Sequence, residues 1–86
     1  MNHQSDALTR VLRLLEITVK RADREELKNT DKDKLFVYHF GLGLFIRNHF
    51  LSEENALYQE FLKQGIDHKD DMSAEIIRAF HDYLNK

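Results

Sequence analysis

The chain has 86 residues, 42% hydrophobic and 33% charged, with no cysteine, proline or tryptophan and a formal net charge of −2. That length supports a single core, and the missing thiols exclude disulfides, cysteine-ligated zinc and thiol nucleophiles. No apolar run approaches the roughly 20 residues that span a bilayer, and the polar opening Met-Asn-His-Gln-Ser-Asp carries no secretory signal, so no membrane association and a cytoplasmic setting are expected.

The first helical pattern runs from Asp6 to Arg24, with Ser5 or Asp6 able to cap it. Leu8, Val11, Leu12, Leu15, Val19 and Ala22 recur at spacings of three and four and form one apolar stripe. Residues 1–24 hold five Lys/Arg against three acids, net +2, whereas residues 25–86 hold eight against twelve, net −4. Arg10, Arg13 and Arg21 fall opposite the stripe, and two aliphatics, Leu14 and Ile17, fall there with them. A basic face is ordinarily solvated, but an apolar centre within it is also what contact with an acidic protein, or with a second copy of the chain, requires. Nucleic acid is a weaker fit, because the acidic remainder repels phosphates.

Asp23 to Thr30 reads as a polar turn around Leu27, with no linker composition and hence no domain boundary. A second helix is expected from Thr30 or Asp31 through Leu51. Leu35, Tyr38, Leu42, Phe45 and Ile46 project to one side of it, and Val37, Phe40, Leu44 and Leu51 to the other. A helix apolar all round is normally buried all round, which makes this one central. Gly41 and Gly43 each cost about 1 kcal/mol inside a helix. They are explained by close helix–helix approach, by a ligand or partner backbone drawing near, or by a kink. Ser52 with Glu53 and Glu54 reads as the start of a further helix, which Gly65 closes as a left-handed cap. The last helix carries Met72, Ile76, Ile77, Phe80, Tyr83 and Leu84 at helical spacing.

Arg47 and Asn48 are the polar pair of the central helix. A buried guanidinium needs a partner, and Asp70, Asp71 and Asp82 are the nearest carboxylates in the sequence. Arg47 therefore either bridges to the last helix or faces outward to recognise a carboxylate or phosphate with its planar fork. The five histidines do not point to metal. His39 and His49 would lie roughly 15 Å apart along one helix, and no pair has the spacing that brings two ligands to one helical face. Arg47-Asn48-His49 is superficially similar to the Arg-Asn…His of HEPN-type ribonucleases, but their histidine comes several residues later, so ribonuclease activity is not expected. No GxSxG, no isolated carboxylate pair and no phosphate-cradling glycine loop is present.

From Glu25 onward three blocks stand out: Glu25-Glu-Leu-Lys-Asn-Thr; His39-Phe-Gly-Leu-Gly-Leu-Phe-Ile-Arg-Asn-His-Phe-Leu51; and Ile66-Asp-His-Lys-Asp-Asp-Met-Ser73 with His81-Asp-Tyr-Leu-Asn85. They resemble a family of small bacterial domains of unknown function with an HFGLG-x-x-IRN-x-F block and an HPDD-x-S block that opens a final helix. The resemblance implies motif roles for His39, Gly41, Gly43, Arg47, Asn48, His68, Asp70, Asp71 and Ser73, and makes an Arg47 link to Asp70 or Asp71 more plausible. Lys69 stands where the family has proline, and the aromatic surface supplied by a tryptophan after the arginine is missing here.

The sequence thus leads to one all-α domain of three to four helices, with a basic amphipathic helix over residues 1–24, a family-like core over 25–86 and a buried central helix. It is expected to be non-enzymatic, without cofactor or metal: a regulator or inhibitor of immunity-protein, antitoxin or anti-defence type. Its binding face would be Arg10, Arg13, Leu14, Ile17 and Arg21, which could also support a homo-oligomer. The alternative is a phosphorylated ligand or nucleotide between the central and last helices, with His39, Arg47, Asn48, His68, Asp70 and Asp71 as the ligand-binding group.

Overall fold

A computed structural model describes residues 5–86; the polar opening of the sequence, residues 1–4, lies outside the described residues. Helix α1, Asp6–Thr18, is capped as expected, with the Ser5 hydroxyl accepting from the Leu8 amide at 3.1 Å. It ends earlier than the apolar stripe predicts. Val19 and Lys20 are extended, and α2, Arg21–Lys28, begins after them. Two local causes combine. Ile17-Thr18-Val19 is a β-branched run that loses side-chain freedom in a helix. Arg24 then folds back, its Nη1 donating to the carbonyls of Glu16 (2.6 Å) and Val19 (2.7 Å), so the end of α1 has a side-chain cap that a continuous helix would not need.

The long central helix is also corrected. Lys32–Tyr38 is a 3-10 helix, a turn follows, and α3 covers only Leu42–Phe50. Neither Thr30 nor Asp31 caps the 3-10 helix through its side chain; the Thr30 hydroxyl donates to the Glu26 carbonyl instead. The break falls at Gly41 (φ −89°, ψ −88°), where an added Cβ would meet nothing within 4 Å. Gly43 is the close-approach glycine. A Cβ there would lie 3.0 Å from Arg47 Nη1, 3.3 Å from the Tyr38 carbonyl oxygen and 3.7 Å from Ile77 Cδ1. Nor is the segment buried all round: Phe36, Val37, Phe40 and Leu44 are exposed.

Ser52 does not start the fourth helix. That role belongs to Asn55, whose Oδ1 accepts from the amides of Leu57 (2.9 Å) and Tyr58 (3.3 Å) at the head of α4, Ala56–Lys63. Gly65, at φ +87°, closes it as predicted. The Gly65 amide donates to Leu62 O and the Ile66 amide to Phe61 O, the paired bonds of a Schellman cap.

Helix α5, Lys69–Leu84, starts three residues before Met72 and forms the hub, packing on α1, α2, the 3-10 helix and α3. Met72, Ile76 and Phe80 on α5 are fully buried against Leu12 and Leu15 of α1, Leu27 of α2, Ile46 of α3, and Leu51. Polar ties fasten its C-terminal half: Tyr83 donates to Glu16 Oε1 (2.7 Å), Lys32 pairs with Asp82 (2.8 Å), and His81 Nε2 lies 2.8 Å from the Thr30 carbonyl. A carbonyl can only accept, so Nε2 carries the hydrogen there. The fold is all-helical, with five α-helices and one 3-10 helix among the described residues instead of three to four helices, and α5 takes the central place expected of 35–51.

Candidate functional site

Two groups of residues were expected to carry function, and the fold treats them differently. Arg47 sits in the last turn of α3, its side chain only 13% exposed. Its Nη1 donates to Ser73 Oγ at 2.9 Å, its Nη2 to the His39 carbonyl at 3.2 Å, and its Nε lies 3.5 Å from Asp70 Oδ1. Ser73 is fully buried and in turn donates to the Asp70 carbonyl at 2.9 Å. One guanidinium thus joins the turn before α3, α3 itself and the first turns of α5. The bridge to Asp70 is the first of the two alternatives the sequence left open, while Ser73, read only as a motif position, is the tightest partner. A small residue one turn into α5, opposite a buried arginine, was the available signal.

The rest of that group does not converge on Arg47. Asn48 points to solvent, because α3 has an outer side after all. Asp71 and His68 are exposed, and the nearest carboxylate to His68 is Asp67, at 3.9 Å. His39 contributes its backbone carbonyl, and its ring meets the edge of Phe40 at 4.9 Å. A cleft of about 230 Å³ does lie between the 3-10 helix and α5, lined by Leu35, Phe36, His39, Ala74, Ile77 and Arg78 together with Lys32 and Asp33. Arg47 and Asn48 do not line it. No group of three or more His, Asp or Glu side chains could hold a metal ion, and no helix is long and apolar enough to cross a membrane, both among the described residues.

The second group lies on the outside of α1. Arg10, Arg13, Leu14 and Ile17 follow one another at spacings of three, one and three, which places them on a single helical face. Ile17 is 80% exposed and Leu14 42%. Arg21 is exposed as well, but the break at Val19 and Lys20 puts it on α2, out of register with Ile17. Among the described residues Arg10, Arg13 and Arg21 make no ion pair, whereas Lys32, Lys34, Arg47 and Arg78 each have a carboxylate of this chain. Glu16, the acid within this stretch, is taken by the Tyr83 hydroxyl. That hydrogen bond, together with burial and the carboxylate charge, raises the Tyr83 pKa above 10.0, against a smaller lowering by Arg13. A shallow groove along Asp6, Thr9, Arg10, Arg13 and Leu14 flanks the face.

The family model described as Domain of unknown function (DUF6794) matches residues 6–84. The chain belongs to DUF6794. The match begins at Asp6, so the DUF6794 region takes in α1 along with the Arg47 bridge and α5. Neither a curated protein nor a solved structure matches this DUF6794 chain.

Proposed function

We propose that this DUF6794 domain is a non-catalytic binding protein, a regulator or inhibitor that docks an acidic partner protein through the outer face of α1. The observation that carries the reading is Ile17, left 80% exposed on one face with Arg10 and Arg13, which make no ion pair among the described residues. An aliphatic side chain in water forgoes about 1.5–3 kcal/mol of burial free energy. Unpaired arginines around it supply steering and bidentate contacts to carboxylates. Arg47, the other arginine with recognition potential, already spends its donors on Ser73 and the His39 carbonyl. A phosphorylated ligand in the cleft between the 3-10 helix and α5 would have Lys32 and Arg78 near it, each already paired with a carboxylate, so this reading has less support.

The test is a tagged pull-down from the organism that encodes the chain, run side by side with wild type and Ile17→Glu. Wild type should retain one protein in stoichiometric amount, and Ile17→Glu should lose it while keeping its circular dichroism spectrum. Equal retention by both would overturn the proposal. Collapse of helicity in Ile17→Glu would do the same, since it would make Ile17 a core residue. Excess absorbance at 260 nm in a preparation that carries no partner protein would favour the nucleotide reading.

A further inference from the structure

A second surface, unconnected with α1, is left uncovered by the 3-10 helix. A 3-10 helix has three residues per turn, so its side chains stand in three ridges. The ridge of Leu35 and Tyr38 packs inward on the core. The other two, Phe36 with His39 and Val37 with Phe40, face outward or along the edge. Phe36 is 74% and Phe40 83% exposed, with Val37 and Leu44 also in the open. The His39 ring connects the ridges: it lines the cleft beside Phe36 and meets the Phe40 ring edge-on at 4.9 Å.

We infer that this aromatic surface, Phe36, Val37, Phe40 and Leu44, is the interface of a twofold homodimer. Area and charge argue for a second copy as the occupant. At about 200 Å² per phenylalanine, the two rings alone leave roughly 310 Å² in water, and Val37 and Leu44 bring the patch to roughly 450 Å². A standard interface buries about 800 Å² per partner, of which about 56–65% is apolar, so it needs roughly 450–520 Å² of such surface from each side. The patch supplies that amount.

The charges around it are settled within the chain. Lys32 pairs with Asp82 at 2.8 Å, Arg78 with Glu75 at 2.6 Å, and Lys34 with Asp31 at 4.0 Å, leaving Asp33 as the rim charge without an ion pair among the described residues. A near-neutral rim can face its own copy across a twofold axis without like charges meeting, as an isologous contact requires. The α1 face is less suited to a second copy, since it would bring the unpaired Arg10 and Arg13 of both copies into one interface. Self-association is therefore assigned to residues 36–44 and not to the basic helix, and it stands or falls independently of the partner reading.

Sedimentation equilibrium of the full chain from roughly 1 µM to roughly 1 mM tests this directly. Wild type should form a dimer with micromolar dissociation. Phe36→Glu/Phe40→Glu should weaken it by about 100-fold or more, with an unchanged circular dichroism spectrum because both rings are solvent-facing, and Ile17→Glu should still dimerise. A wild type that stays monomeric at the highest concentration would overturn the inference. So would a dimer that survives the double substitution or is lost in Ile17→Glu. Loss of helicity in the double variant would identify the rings as core and refute it equally.

Discussion

Replacing Arg47 with methionine keeps most of the side-chain volume and removes every donor. Two hydrogen bonds from a charged group to shielded acceptors go, those to Ser73 Oγ and to the His39 carbonyl, each worth about 1.5–3 kcal/mol. The Asp70 contact adds little, at most about 1 kcal/mol, because that carboxylate is 68% exposed and returns to water. Methionine recovers part of the loss by apolar packing. The expected net cost is about 3 kcal/mol, equivalent to a fall in Tm of roughly 12–24 °C for a domain of this size. Urea denaturation followed by circular dichroism measures it. A cycle with Ser73→Ala should return a coupling of about 1 kcal/mol or more, while Asp70→Asn should cost under about 1 kcal/mol. A loss below about 0.5 kcal/mol in Arg47→Met, or zero coupling to Ser73, would refute the view that this arginine is a structural bridge.

Three further outcomes follow from individual positions. Gly43→Ala should destabilise by about 1 kcal/mol despite the better helix propensity, because its Cβ meets a backbone oxygen at 3.3 Å and a pinned guanidinium; Gly41→Ala, with open space around it, should stay within about 0.5 kcal/mol, both read by the same urea denaturation. Gly65→Ala forces a Cβ into the left-handed region at φ +87° and should cost about 1–2 kcal/mol by urea unfolding. Tyr83 should ionise above pH 10.0 in an absorbance titration near 295 nm, and Glu16→Ala should bring it back toward that value. Its folded pKa is raised, so the associated stability is complete below the unfolded value and is lost as the pH climbs through the folded one.

The α1 core residues Val11, Leu12 and Leu15 and the caps at Ser5 and Gly65 were legible in the sequence, because each follows from one local rule; the cost of an unpaired buried charge gave Arg47 a need for a partner but left open whether it bridged and to which of three carboxylates. What could not be read were changes of helical register. A wheel drawn at about 100° per residue drifts by about 20° at every residue of a 3-10 helix. Even so, the projection kept its two sides: Leu35, Tyr38 and Ile46 pack inward while Val37, Phe40 and Leu44 face out, and the error was to bury the second side as well on its apolar character alone. Arg24 was read as the last residue of one continuous helix, whereas its guanidinium folds back over the Val19–Lys20 break to cap α1, a contact that a helical projection does not show. Ser52 was read as the α4 cap because acids follow it, but Asn55 carries an equally suitable side chain and is the residue whose Oδ1 meets the first free amides of α4.

The proposal that α1 is the docking face is met most directly by site-specific photo-cross-linking in the native cell, with the reactive side chain placed at position 17 and, as a control, at the exposed Glu75 of α5. The account predicts one discrete adduct from position 17, to a protein with an acidic surface, weakened by Arg13→Glu and absent from position 75. No adduct at position 17, the same adducts from both positions, or a sole product at twice the chain mass would contradict it.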